Sequence, residues 1–337
     1  MKTKIFTMNG QNDEAYIKEA AALLRAGEVV AFPTETVYGL GADATNKAAI
    51  AKIFQAKGRP SDNPLIVHVA TKGQLNELVQ VYPSYVDTLI TTFSPGPITY
   101  VLKRKNNVAT NVTAKLDTVG IRIPNNDVAL RLLKEVDLPI AAPSANMSGR
   151  PSPTKASHVY DDLNGKIAAI VDAMEAEVGV ESTVIDCTGD VPLILRVGAI
   201  TKEAIEAVVG EVRTLSKKEK TEKPKSPGLK YKHYAPEVPL ILVENNALLQ
   251  EIVDRYEAEG NRVGVIVTKK MAENIEAAHK IVIGNKDVEI AQMLYDTLRS
   301  LKKDQLDVVV SQSFSVEGVG LAIMDRLTRA ATEIVYK

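Results

Sequence analysis

Two short segments carry most of the chemistry legible in this chain: Lys57-Gly-Arg59-Pro60, and far downstream Ser144-Ala-Asn146-Met-Ser148-Gly149-Arg-Pro151-Ser152-Pro153-Thr154. An ammonium and a planar guanidinium two residues apart can neutralise and orient several phosphate oxygens. The second segment adds neutral donors on a proline-stiffened loop, so the pair suits a polyphosphate. A plainer reading makes Lys57 and Arg59 solvated cations at a helix C-terminus, where they favour the dipole. Against it, the two prolines of Pro60-Ser-Asp-Asn63-Pro64 predict an extended loop that holds Asn63 and both cations in one geometry. The Ser144 segment follows the apolar run Leu138-Pro-Ile-Ala-Ala142, which places it at a strand end, where ligands of open α/β sheets collect. A simple Ser/Pro turn is the alternative.

Two arginines interrupt apolar strands: Arg122 between Ile121 and Ile123, and Arg196 within Leu193-Ile-Leu-Arg-Val197. Alternation turns Arg122 away from the face of its neighbours, so either that face is wet or the guanidinium has an anionic partner. The partner is an internal carboxylate or a ligand. Arg196 poses the same choice, with a phosphate as the ligand. Gly39-Leu-Gly41-Ala-Asp-Ala44 follows a strand and precedes a helix, a formal match to a dinucleotide fingerprint, but the next strand ends in His68-Val69 without the acidic residue that grips a ribose. These glycines read instead as a tight backbone turn beside a pocket. No Gly-x-x-x-x-Gly-Lys-Ser/Thr run occurs, and the four histidines lack metal-site spacing, so neither a P-loop nor a structural zinc is expected. Magnesium carried by a nucleotide would leave no such signature.

These residues need a scaffold, and short β-branched runs alternating with helical spacing supply one. Strands are predicted at Glu28–Phe32, Pro64–Val69, Val119–Ile123, Ala168–Val171, Ser182–Asp186 and Pro192–Val197, with helices at Ala15–Ala26, Ala48–Lys57 and Asp127–Glu135. This is an α/β domain with a largely buried sheet. The run from Lys217 to Lys225 is charged, proline-broken and too poor in apolar surface to pack. Beyond it, runs at Leu240–Val243, Val263–Val267, Lys280–Ile283 and Asp307–Val310, with a helix near Glu289–Leu301, predict a smaller Rossmann-like α/β domain with a parallel sheet. The expected division is a catalytic domain over residues 1–210, a linker over 211–238 and an accessory domain over 239–337. At 337 residues two domains are a reasonable prior.

Lys+Arg 41 against Asp+Glu 42 leaves a net charge of −1, so no overall basic field attracts RNA or anionic lipid. The single cysteine, Cys187, rules out an internal disulfide framework and reads as a buried strand residue. No stretch is apolar enough for a signal peptide or a bilayer span, which points to a cytoplasmic protein.

The motif Pro33-Thr34-Glu35-Thr36-Val37-Tyr38-Gly39-Leu40-Gly41, the Lys57/Arg59 and Ser144/Asn146 pairs, and Ser226-Pro227-Gly228-Leu-Lys-Tyr231-Lys-His233-Tyr234-Ala-Pro236 together resemble the two-domain threonylcarbamoyl-AMP synthases, over nearly the whole chain and in their fixed order. The resemblance implies a YrdC-like twisted mixed sheet, followed by the linker and the C-terminal domain. It implies that L-threonine, bicarbonate or CO2, and ATP give threonylcarbamoyl-AMP and pyrophosphate by nucleotidyl transfer, supplying threonylcarbamoyl-adenosine modification of tRNA next to the anticodon. Carried over by position, Lys57, Arg59, Ser144 and Asn146 are catalytic. Arg59, Asn63, Thr118, Ser144, Ser152, Arg196 and Tyr234 contact ATP, while Thr36, His68, Arg122, Ala142 and Ser182 hold threonine. Protein side chains supply no metal ligand, and Mg2+ arrives with ATP.

The implied partners are those substrates and the downstream tRNA threonylcarbamoyl-transfer machinery, with no membrane and no strong direct binding of tRNA. Tyr231, His233 and Tyr234 stand out in a solvated linker and suggest a lid over the nucleotide. Two other function classes compete. An RNA-binding module would need a local patch such as Lys103-Arg104-Lys105, and carbamoyl transfer, as in hydrogenase-maturation enzymes, would call for accessory segments that this chain lacks.

Overall fold

A sheet whose strands are apolar on both faces is stable only where helices cover each side, and the first of two units is built this way. The computed structural model describes residues 2–215 and 233–336. The first unit holds the residues up to Ser148, Ser152–Glu177 and those from Glu181 to the end of that described stretch. Its strands are β1 (Lys4–Thr7), β2 (Val30–Phe32), β3 (Gly39–Asp43), β4 (Ile66–His68), β5 (Ile98–Lys103), β6 (Thr118–Arg122), β7 (Ile140–Ala141), β8 (Ala169–Asp172), β9 (Thr183–Asp186), β10 (Leu193–Arg196) and β11 (Arg213–Thr214). They form one mixed sheet in the order β1-β8-β2-β3-β7-β4-β6-β5-β9-β10-β11. The helices are α1 (Asp13–Arg25), α2 (Lys47–Lys57), α3 (Lys72–Leu78), α4 (Tyr85–Phe93), α5 (Asp127–Val136), α6 (Ala156–Leu163) and α7 (Lys202–Val209).

The two-residue period divides the core. Ala31, Leu40, Val67, Val69, Tyr100, Val119 and Ile121 share one cluster with α2, α3, α4, α6 and α7. Val30, Phe32, Ile140 and Val171 face the other way, onto α1 and α5. On that second face, strands β4, β5, β9 and β10 present only a small cluster of their own: Ile66, Val101, Val184 and Leu195. Cys187 is fully buried just past β9, as its apolar surroundings predicted, and burial pushes its thiol well above the usual range.

Three sequence-based expectations change. Gly39 and Gly41 are strand residues of β3, not a turn. What requires glycine at position 41 is space, because a Cβ there would come within 2.7 Å of the Phe32 ring and 2.9 Å of Ile140. Ser61–Asn63 turn between the two prolines instead of running extended. Within the stretch read as linker, Arg213–Thr214 forms the edge strand β11, parallel to β10. Two exposed residues carry no periodicity that would reveal a strand.

The second unit takes the described residues from His233 on, together with Gly149–Pro151 and Val178–Val180. Strands β12 (Leu240–Val243), β13 (Val263–Val267), β14 (His279–Val282), β15 (Val308–Gln312) and β16 (Glu333–Val335) pair in parallel, in the order β14-β13-β15-β12-β16. They alternate with α8 (Leu249–Ala258), α9 (Lys269–Ala272), α10 (Asp287–Ser300) and α11 (Gly318–Ala330). This is the smaller parallel α/β unit that the sequence predicted. Among the described residues no helix is long and apolar enough to cross a membrane.

Candidate active site

The spacing Lys-Gly-Arg has a local cause. Asn46 caps α2 at its start, its side chain accepting from the amides of Ala48 and Ala49, and Gly58 ends the helix in the left-handed region at φ +59°. There the amide of Gly58 donates to Gln55 and that of Arg59 to Phe54, a Schellman closure for which glycine is the favoured residue. Lys57 is thereby the last helical residue and turns inward, 2% exposed, while Arg59 emerges past the turn, half-buried. The Lys57 ammonium donates to the carbonyl oxygens of Ser144 at 2.5 Å and Asn146 at 2.6 Å, with the Asn146 Oδ1 at 3.5 Å. In return the amide of Ser148 donates to the Lys57 carbonyl. The two segments are thus joined directly, with Lys57 donating to the loop backbone.

The same loop is tied to the Pro33–Tyr38 segment. Gly39 bridges Ser144, and the amide of Ala145 donates to the Tyr38 carbonyl at 2.8 Å. Asn146 is buried and its Nδ2 donates to the Met147 carbonyl. Asn63 is 2% exposed, and its Oδ1 accepts no hydrogen bond from the described residues. Ser152 is buried and donates to Glu181 at 2.7 Å.

A second group lies on the face of the sheet opposite the main core. His68 lies opposite Arg122 in the β4–β6 register. Thr99 of β5 contacts Ser182 hydroxyl to hydroxyl at 2.8 Å, and Arg196 of β10 donates from Nε and Nη2 to the Ser182 carbonyl at 3.1 and 2.9 Å, and from Nη2 to its hydroxyl. By strand alternation His68, Arg122, Thr99 and Ser182 all project opposite to the main core. The result is a polar row across β4, β6, β5, β9 and β10. Thr118 starts β6 on the same face, and Ala142, just past β7, is buried beside Gly39.

Of the two possibilities open for Arg122, the structure has the partner and not the wet face. Arg122 is 4% exposed, donates from Nη1 to Thr36 Oγ1 at 2.9 Å, and pairs from Nη2 with Glu35 Oε2 at 2.7 Å. That ion pair is off the hydrogen-bond axis, and Arg122 Nε has no partner among the described residues. Thr36 is in turn held by Thr34, whose hydroxyl lies 2.9 Å away. Burial, reinforced by the nearby Arg122 charge, lowers the His68 pKa to about 3, so its imidazole is neutral at physiological pH.

Sequence reasoning missed Glu35. The signal was present as the one charged residue of the Pro33–Gly41 motif, but nothing local announced its partner on β6. Tyr234 does not belong to this unit. It lies in the second one at φ +67°, stacked on Tyr295 at 5.2 Å. Of the segment 211–238 read as linker and lid, residues 216–232 lie outside the described residues. In the suggested RNA patch, Arg104 and Lys105 donate to backbone carbonyls of Leu116 and Asn76. Among the described residues no group of three or more His, Cys, Asp or Glu side chains is placed to hold a metal ion.

Comparison with known proteins gives one consistent result. Residues 22–198 match the family model described as Telomere recombination, and residues 200–332 match that described as Threonylcarbamoyl-AMP synthase, C-terminal domain. The chain is 49% identical to a threonylcarbamoyl-AMP synthase of Bacillus subtilis, covering 98% of each, and 42% identical to one of Pyrococcus abyssi, covering 99% of each. The crystal structure of P. abyssi Sua5 complexed with L-threonine superposes with a TM-score of 0.93 at 41% identity, over 99% of this chain and all of that one.

Proposed function

The chain belongs to the threonylcarbamoyl-AMP synthase family, and on that premise we propose that it converts L-threonine, bicarbonate or CO2, and ATP into threonylcarbamoyl-AMP and pyrophosphate. In class terms it is a nucleotidyltransferase: the carbamate of threonine attacks the α-phosphorus of ATP in line, and pyrophosphate leaves. The observation that carries this reading is the row of His68, Arg122, Ser182 and Arg196 on one sheet face, with a buried guanidinium whose Nε makes no bond to the described residues. A free amino acid brings a carboxylate that can accept from the Nε that the Glu35 pair leaves unused.

In this reading Arg122 fixes the threonine carboxylate, with Thr36, His68, Ala142 and Ser182 around it. Arg59, Asn63, Thr118, Ser144, Ser152 and Arg196 address ATP. Lys57 shapes the Ser144–Asn146 loop and leaves its positive charge beside it, so it acts by positioning and by field. Mg2+ comes with the triphosphate as part of the substrate and lessens its charge. The product feeds the machinery that transfers threonylcarbamoyl groups to tRNA, and the setting is the cytoplasm.

The test is pyrophosphate release by the purified chain given ATP, L-threonine and bicarbonate, repeated with each of the last two omitted. Release that requires both supports the reading. Release at the same rate without threonine overturns it.

A further inference from the structure

Glu35 is the anomaly of this face. Its side chain is 4% exposed, and a carboxylate that deep is costly unless its charge and its lone pairs are both met. Arg122 meets the charge at 2.7 Å, but neither Glu35 oxygen has an aligned hydrogen bond from the described residues. Arg122 is incomplete in the same way, at Nε and Nη2, and so is His68 at Nδ1. A closed Arg–Glu pair would use the two-pronged geometry that both groups offer. Here each ion instead keeps bonding capacity unused.

The ligand that completes such a pair carries both signs on adjacent atoms. A carboxylate alone would satisfy Arg122 and be repelled by Glu35, while an amine alone would do the reverse. An α-amino acid zwitterion satisfies both. Resting on the assignment of threonine to this face, we infer that Glu35 receives the α-amino group of the amino acid while Arg122 takes its carboxylate. Glu35 is then a specificity-determining residue. It selects amino acids over hydroxy acids of the same shape, and it holds the nitrogen that is to be carboxylated.

The experiment compares two ligands by calorimetry on the full-length protein: L-threonine, and (R)-3-hydroxybutanoate, which keeps the hydroxyl and carboxylate but has no amine. Glu35→Gln is expected to weaken threonine binding at least ~10-fold, the scale of one charge-assisted hydrogen bond, and to leave the hydroxy acid within about two-fold of wild type. Equal losses for both ligands would mean that Glu35 only orients Arg122, and would overturn the inference, as would unchanged threonine binding. ATP affinity and the melting temperature report whether the variant is folded. If Glu35→Gln does not fold, Glu35→Asp keeps the charge on a shorter arm and is expected to show the same threonine-selective loss. Wild-type protein that binds no L-threonine overturns both this inference and the assignment beneath it.

Discussion

The ammonium of Lys57 sits 2.6 Å from the carbonyl oxygen of Asn146, 89 positions away in the chain. A buried cation is thus used to hold a loop by its backbone, and removing it takes the ammonium donor from two carbonyls, those of Ser144 and the buried Asn146. Lys57→Met, which keeps the aliphatic stem, is expected to lower stability by about 2–3 kcal/mol and turnover by more than ~10-fold. Urea midpoints and pyrophosphate release measure the two. Unchanged turnover in the folded variant would remove Lys57 from the catalytic set.

Arg122→Lys tests geometry at constant charge. The lysine can reach either Thr36 or Glu35 but cannot offer the fork that touches both. Threonine affinity is expected to fall at least ~10-fold, with ATP affinity little changed. A parallel loss for ATP would place Arg122 at the nucleotide.

Strands β2, β4, β6, β8, β9 and β10 were legible because they are short apolar runs, and Arg122 and Arg196 stood out because they interrupt those runs. The parallel α/β second unit was legible for the same reason. Glu35 was hidden because its partner lies 87 positions downstream, a distance that no local pattern spans. The glycines of β3 were misread because Gly-x-Gly before a helix is shared by turns and by crowded strands. Only the position of the Phe32 ring tells them apart. Strand β1 and the helices α3, α4 and α6 are short or weakly patterned, and their packing partners are distant in sequence.

His68 ties stability to pH. Its native pKa of about 3 lies below the ordinary 6.5, so between those values the unfolded chain binds a proton that the native protein refuses. Stability is therefore full above pH 6.5, falls as pH drops, and levels off below about 3, with a total loss of roughly 4–5 kcal/mol. His68→Gln should flatten that part of the curve. Guanidinium midpoints of both proteins from pH 4 to 7 decide it, and parallel curves would show that the slope belongs to other groups.

Gly41→Ala isolates the role of space in β3. The backbone at Gly41 is ordinary extended strand, so alanine brings no conformational strain there. What it brings is a methyl carbon 2.7 Å from the Phe32 ring and 2.9 Å from Ile140, in a core with little room to give. The expected cost is about 1–3 kcal/mol, read from denaturant midpoints. If crowding is the cause, Phe32→Leu should cost less in the Gly41→Ala background than alone, because the smaller side chain makes room for the added methyl. If the two losses simply add, the glycine is needed for something other than the ring that faces it.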